Sequence, residues 1–184
     1  MKFGNPTFLT GAIGLTILGL GGCLAIYSAR SFGEDPFYFA LRQLVWLGSG
    51  VIVFLALARI PFRFYVRYAA ALAVLAFTSL ILVLIFGTTI NGMRGWFSLG
   101  GGVLLQPSEL AKGAYLLLLS TIAAEETKSE RSRFLRMAGA GAAFCGLLLL
   151  QPDFGTASVY FLALATVVFV STFRRRYLFF LAAG

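Results

Sequence analysis

Long apolar runs without charged residues are the feature that most limits what this chain can fold into. The sequence has 184 residues, of which 59% are hydrophobic and 12% charged, and the 27 residues from Phe3 to Ala29 carry no charge. A soluble chain of this length could not hide so much apolar area, because much of its surface would stay exposed. The sequence therefore predicts an integral membrane protein with a retained first span rather than a cleaved signal peptide.

The spacing of the apolar runs predicts an all-α fold, a polytopic transmembrane helix bundle that forms one domain over residues 1–184. A helix needs about 20 residues to cross the hydrocarbon. Six runs approach that length, and a seventh begins at Tyr177. The predicted spans are Phe8–Ser28, Phe37–Ala58, Tyr68–Phe86, Pro107–Ala124, Leu135–Leu150 and Gly155–Phe173.

Basic residues collect in alternate loops, which predicts the orientation of the bundle. Cytoplasmic loops carry an excess of lysine and arginine, so the N-terminus is expected in the cytoplasm. The net charge of +8 then reflects topology rather than a nucleic-acid partner. The inner residues are Lys2, Arg59, Arg63, Arg67, Lys128, Arg131, Arg133, Arg136 and Arg174 to Arg176, and the outer ones are Arg30, Arg42, Arg94 and Lys112.

Residue types that are absent or isolated exclude several classes of chemistry. The sequence has no histidine, which excludes imidazole catalysis and histidine-ligated metals. Cys23 and Cys145 both lie inside apolar runs and are expected to be small core residues rather than a disulfide or a metal pair. No nucleotide-binding motif is present, and no organic cofactor is indicated. A role for a divalent cation stays open.

The fourth predicted span begins with a polar segment, QPSELAK, which starts at Gln106. Proline suits the first turn of a helix, and a carboxylate there meets the positive end of the helix dipole. Glu109 and Lys112 are three residues apart and share one helix face. They form either a self-neutralising pair or part of a water-filled outer cavity that binds a polar headgroup.

A second polar segment, Gln151-Pro152-Asp153, precedes the sixth span. Both helices run in the same direction, so their acid-bearing starts are expected at the same outer cavity. Asp153 either lines that cavity or only caps its own helix.

The outer loop NGMRGWFSLGGG, which starts at Asn91, contains a turn signal and one cation. Arg94 is suited to phosphate recognition because its guanidinium presents a planar fork of donors. Trp96 is expected to seat the loop at the membrane interface, with stacking on a ligand as the alternative.

These motifs, in this order, resemble the SEDS family of bacterial cell-wall proteins, which includes FtsW, RodA and SpoVE. The similar segments are DPFYF and RQLVWL after Glu34, then NGMRGWFSLG, QPSELAK, QPDFGTA and FRRRY. The resemblance implies a peptidoglycan glycosyltransferase of the bacterial cytoplasmic membrane that polymerises lipid II, in division or in elongation. It also implies membrane lipid and a class B penicillin-binding protein as partners.

The matching motif positions imply a set of substrate-binding residues, while the catalytic residue stays unknown. The family's catalytic acid lies in a large outer loop of the later half, so the resemblance implies that this chain is inactive alone. The loop also departs from the family pattern, since Gly95 stands where an arginine usually precedes the tryptophan. The implied substrate-binding residues are Arg94, Trp96, Gln106, Ser108, Glu109, Lys112 and Asp153.

The sequence supports one mechanism and two rivals. Lys112 and Arg94 would neutralise a lipid-linked pyrophosphate, Glu109 would hold Lys112, and Asp153 would orient the polar wall of the cavity. A flippase that moves the same precursor would place polar groups through both leaflets. A scaffold would only position the penicillin-binding protein.

Overall fold

The computed structural model describes residues 6–29, 36–100, 102–126 and 128–172. The chain divides into two compact units, Met1–Pro61 and Phe62–Gly184. The predicted start of a seventh span at Tyr177 lies outside the described residues, as do Phe173 and the arginines that follow it. The single domain over residues 1–184 stays a prediction.

The first unit is a pair of packed helices, α1 (Pro6–Ala29) and α2 (Pro36–Ala58). They approach closely at Gly19, where an added Cβ would lie 2.9 Å from a methyl carbon of Leu47. Small residues permit such contacts between helices in a membrane, where packing rather than apolar burial drives association. Cys23 is buried in this unit, and both cysteines are free. The burial of Cys23 agrees with its prediction as a small core residue.

The second unit contains four helices and a small sheet. Pro107 is the first residue of the second of these helices, and Ser129 caps the third by accepting a hydrogen bond from the Ser132 N–H at 3.2 Å. Both starts follow the usual chemistry of helix N-termini. The elements are α3 (Phe62–Phe86), β1 (Thr88–Ile90), β2 (Met93–Ser98), β3 (Leu104–Leu105), α4 (Pro107–Ala123), α5 (Glu130–Leu150) and α6 (Phe154–Thr172).

The helices lie where the apolar runs predicted them, although the span count is only partly supported. α3 begins six residues and α5 five residues before the predicted start. The prediction followed apolar runs, and these exclude the basic residues in the first turns of both helices. α4 has 17 residues, fewer than the about 20 needed to cross the hydrocarbon. The described segments long and apolar enough to span a membrane are Phe37–Ala58, Phe62–Phe86, Glu130–Leu150 and Phe154–Ser171.

The segment between α3 and α4 departs from the all-α prediction. It forms a three-stranded antiparallel sheet in the order β1-β2-β3. Asn91 and Gly92 occupy the two-residue turn between β1 and β2, with φ of 51° and 81°. Positive φ at both positions is the geometry that asparagine and glycine favour in a tight hairpin. The turn signal was predicted, but the sheet was not.

The core of the second unit lies between α3, α4, α5 and α6. Tyr115 packs with its ring tilted against Tyr160, with ring centroids 4.8 Å apart, and against Phe144 at 5.1 Å. α5 comes close to this cluster at Gly141, because a Cβ there would overlap Leu164. The aromatic cluster thus fixes how α4, α5 and α6 face one another, and so where their ends meet.

Candidate functional site

The predicted polar segments meet at one end of the second unit. This end holds the sheet, the starts of α4 and α6 and the turn between α5 and α6, and it is called the sheet end below. A hydrogen bond of 3.2 Å from Gln106 Nε2 to Asp153 Oδ2 joins two segments that are 47 residues apart. The structure thereby brings the QPSELAK and QPDFGTA motifs together.

Asp153 uses both of its carboxylate oxygens. Oδ1 accepts a hydrogen bond from the Thr156 N–H at 3.0 Å, which caps α6, and Oδ2 accepts from Gln106. The side chain is buried, at 9% exposure. Gln106 precedes α4 but makes no side-chain cap there, because its amide is directed to Asp153. Asp153 is therefore both a helix cap and the acceptor that links two helix starts.

Glu109 and Lys112 form the ion pair that their spacing predicted. The distance from Lys112 Nζ to Glu109 Oε1 is 2.6 Å. The side chains are 56% exposed for Glu109 and 30% exposed for Lys112, so the pair lies on the surface of α4 near its start. An ammonium group in this position can contact an anionic headgroup without leaving its carboxylate partner.

Ser108 lies inside the bundle rather than on the surface. Its residue exposure is 1%, and its carbonyl oxygen accepts a hydrogen bond from the Tyr160 hydroxyl at 2.9 Å. Its own hydroxyl is buried without a hydrogen-bond partner. This backbone contact ties the first turn of α4 to α6.

Arg94 and Trp96 lie on β2, and Arg94 is anchored to the end of α3. Its Nε donates to the Gly87 carbonyl oxygen at 3.0 Å, while the residue as a whole stays exposed. Trp96 is half-buried. The guanidinium is thus fixed at one nitrogen and keeps a surface position at the sheet end.

Gln151 is a residue of this end that the site prediction missed. It is 1% exposed, and its Nε2 donates to the Leu80 carbonyl oxygen on α3 at 3.0 Å. The glutamine was visible as part of the Gln-Pro-Asp segment. The sequence carried no signal for its partner, which is 71 residues away.

The opposite end of the unit is basic and holds the loop between α4 and α5. Arg133 donates to the carbonyl oxygen of Ala123 at the end of α4, at 2.7 Å. Arg136 donates a hydrogen bond to the Glu125 carboxylate, which lowers the pKa of Glu125 from its usual value. These contacts join α4 to α5 and involve none of the predicted site residues.

Residues 7–183 match the family model described as a cell cycle protein, which covers FtsW, RodA and SpoVE. The chain belongs to this family. The SEDS resemblance found in the sequence motifs is thereby confirmed.

Two curated members of the FtsW/RodA/SpoVE family illustrate the match. The chain is 33% identical over 162 residues to the probable peptidoglycan glycosyltransferase FtsW of Moranella endobia, covering 84% of this chain and 42% of the relative. It is 31% identical over 187 residues to stage V sporulation protein E of Bacillus subtilis, covering 96% and 50%. The chain thus spans about half the length of these relatives, or slightly less.

Two solved structures share the fold of this chain. The rod shape determining protein RodA of Thermus thermophilus has 35% identity and a TM-score of 0.74, with coverage of 92% of this chain and 58% of that one. A chain in a peptidoglycan synthase complex, studied for its coordination of polymerization and crosslinking, has 34% identity and a TM-score of 0.77. Coverage there is 90% and 49%. A multi-pass membrane bundle is therefore the fold of this family member.

Proposed function

We propose that this chain forms part of a peptidoglycan glycosyltransferase that polymerises lipid II at the outer face of the bacterial cytoplasmic membrane. The hydrogen bond between Gln106 and Asp153 carries the proposal, because it gathers two family motifs at one end of the bundle. Relatives named as peptidoglycan glycosyltransferases support the reaction class. A class B penicillin-binding protein is the proposed partner, in line with the synthase complex that contains a similar chain.

In the proposed mechanism, the sheet end binds the pyrophosphate of the lipid-linked sugar. Lys112 contacts the phosphate oxygens and stabilises the leaving group as its negative charge develops. Glu109 holds the ammonium group in place through their ion pair. Arg94 adds a second cation, fixed through its bond to Gly87. Asp153 sets the position of the two helix starts rather than contacting substrate, since both of its oxygens are occupied.

The bond that forms joins the acceptor hydroxyl oxygen of one sugar to the anomeric carbon of the other. The bond that breaks joins that carbon to the pyrophosphate oxygen. A carboxylate in family sequence beyond the matched region would take the hydroxyl proton as the general base. The described residues of this chain supply binding and charge neutralisation, and activity of the chain alone is not expected.

The distribution of charge favours surface chemistry over a flippase. In α3, α4, α5 and α6, charged residues occur only within the first two turns, and the remaining turns of these helices contain none. A transport path through this unit would need polar groups at mid-membrane depth. A chimera that polymerises lipid II without moving it between leaflets would decide between the two functions.

The decisive experiment replaces the matched region of Thermus thermophilus RodA by residues 7–183 of this chain and measures lipid II polymerisation with a matched penicillin-binding protein. Lys112→Ala should lower the rate by about 100-fold or more, the usual effect of losing one donor that stabilises transition-state charge. Adding a chelator to the same assay reports whether a divalent cation accompanies the pyrophosphate.

Lys128→Ala is the matched control, because Lys128 is an exposed lysine in the loop at the opposite end. It should leave the rate unchanged. Full activity of Lys112→Ala would remove Lys112 from the mechanism. A chimera that binds the penicillin-binding protein but forms no glycan would instead support the scaffold.

A further inference from the structure

Gln151 contacts two elements besides its own turn. The side chain is almost fully buried, and its Nε2 donates to the Leu80 carbonyl oxygen on α3. Its Oε1 lies beside β2, since a Cβ added at Gly95 would be 3.5 Å from that oxygen. One amide in the turn between α5 and α6 therefore lies between α3 and the sheet.

Gly95 is the extra residue of a β-bulge. Neighbouring residues Thr88 and Thr89 of β1 pair with Trp96 and Arg94 of β2, which leaves Gly95 between them without a partner. The bulge places Gly95 on the buried side, while Arg94 stays exposed. Bulges redirect side chains and often occur next to active sites. The position of this bulge therefore determines the direction of the Arg94 side chain.

The paired side-chain amide of Gln151 is buried where an apolar side chain would also fit. Burying a polar group is unfavourable unless it is hydrogen-bonded, and an apolar side chain would fill the same space without that condition. The other long-range side-chain bonds at this end, from Gln106 to Asp153 and from Tyr160 to Ser108, join α4 to α6. Gln151 instead connects the α5–α6 turn with α3 and β2. A satisfied buried polar contact of this kind selects one arrangement of the elements.

We propose that Gln151 is a positioning residue that holds the Gly95 bulge against the bundle and so fixes Arg94 and Trp96 relative to Lys112. The positioning stands on the geometry of the chain. Its consequence for substrate binding rests on the proposed function.

The fluorescence of Trp96 can report whether the Gly95 bulge is held against the bundle, without any activity assay. The sequence has two tryptophans, so Trp46→Phe leaves Trp96 as the single tryptophan of the chain, whose emission can be excited selectively over tyrosine in lipid nanodiscs. Gln151→Leu should raise the iodide quenching constant of Trp96 by about twofold, as a half-buried indole becomes accessible through local opening. Tyr160→Phe also removes one buried hydrogen bond, but that bond joins α6 to α4 rather than to the sheet, and its loss should leave quenching unchanged. Unchanged quenching in Gln151→Leu would overturn the proposal.

Gln151→Glu is a second, nearly isosteric variant. It keeps the proposal testable if the leucine variant misfolds. A protonated carboxyl group can donate to the Leu80 carbonyl oxygen, whereas a carboxylate is repelled by it. Burial raises the pKa of the introduced carboxyl group. Trp96 should therefore be protected as in the parent at acidic pH and become accessible as the pH rises through that pKa. Protection that is independent of pH would contradict the proposed role of the donated hydrogen bond.

In the RodA chimera, Gln151→Leu should raise the KM for lipid II by about tenfold, with a smaller change in kcat. This corresponds to the loss of one positioned contact in substrate binding. If Trp96 quenching changes as expected but no chimera polymerises lipid II, the proposed function fails while the positioning role stands. A tenfold fall in kcat with no change in KM would contradict a role in placing the binding residues.

Discussion

Asp153 has the capping role that its sequence position allowed, together with a second contact that the sequence did not indicate. It caps α6, as its place before an apolar run indicated, and it also accepts from Gln106 at the start of α4. The cap could be predicted because it depends on residues three positions apart. The bond to Gln106 could not, because it depends on how α4 and α6 pack.

Substitutions of Asp153 should separate its cap from its charge. Asp153→Asn keeps an oxygen for the Thr156 N–H, and a flipped Gln106 amide can accept from the new NH₂ group. Asp153→Ala loses both contacts. Compared with Asp153→Asn, it should lower the free energy of unfolding by a further amount of about 0.5–2 kcal/mol, the usual range for a lost cap. Thermal unfolding of both variants in nanodiscs measures the difference. Equal stability of the two variants would show that the cap contributes little.

Other residues of the site differ in how far local spacing predicted them. The Glu109–Lys112 pair follows from positions three apart on one helix. Ser108 was expected to bind substrate, and the structure places it inside the bundle. Ala111 and Tyr115, three and seven residues later on the same face of α4, are buried with it. That periodicity was present in the sequence and indicates the buried face.

At the scale of elements, the helices were predictable and the sheet was not. Apolar length determines a transmembrane helix almost by itself, because an unpaired backbone cannot cross the hydrocarbon. The strands contain only two to six residues, too few for a clear alternating pattern. Asn91-Gly92 between threonine-rich and aromatic segments was the available hairpin signal. The glycines that follow favoured an open loop instead.

The junction between α3 and β1 should be sensitive to substitution. A Cβ at Gly87 would overlap the Val83 carbonyl oxygen, and the Gly87 carbonyl oxygen accepts from Arg94. Gly87→Ala must therefore move the backbone that anchors the sheet, at a cost of about 1–3 kcal/mol. It should lower the melting temperature and increase Trp96 quenching.

Gly113→Ala is the comparison for Gly87→Ala, because nothing lies within 4 Å of a Cβ at Gly113 on α4. Alanine is the better helix former, so this variant should be neutral or stabilising. Equal effects of the two substitutions would contradict the steric explanation at Gly87.

At the scale of the whole molecule, the two ends of the second unit differ in charge and predict its orientation. The end that holds the α4–α5 loop is basic, because the first two turns of α3 and α5 contain five arginines. The sheet end combines the Glu109–Lys112 pair with Asp153 and Arg94. The bias of basic residues predicts that the α4–α5 loop lies in the cytoplasm and the sheet end outside. That orientation is required for chemistry on an outward-facing lipid-linked sugar.

Cysteine labelling in intact bacteria tests this orientation. In a chain with Cys23→Ala and Cys145→Ala, Ser98→Cys on β2 should react with a membrane-impermeant maleimide added outside. Lys128→Cys should react only after permeabilisation. The reverse pattern would place the sheet end in the cytoplasm and would contradict the proposed function.

The sequence alone determined the membrane class, the positions of the helices, the family and the ion pair on α4. Each of these depends on composition, on motifs or on residues within about one helical turn of each other. Only the tertiary structure decided that Gln106 meets Asp153, that Gln151 reaches Leu80 and that the Gly95 bulge faces inward. These contacts join residues far apart in the chain, and they exist only once the aromatic core has fixed which helix faces pack together.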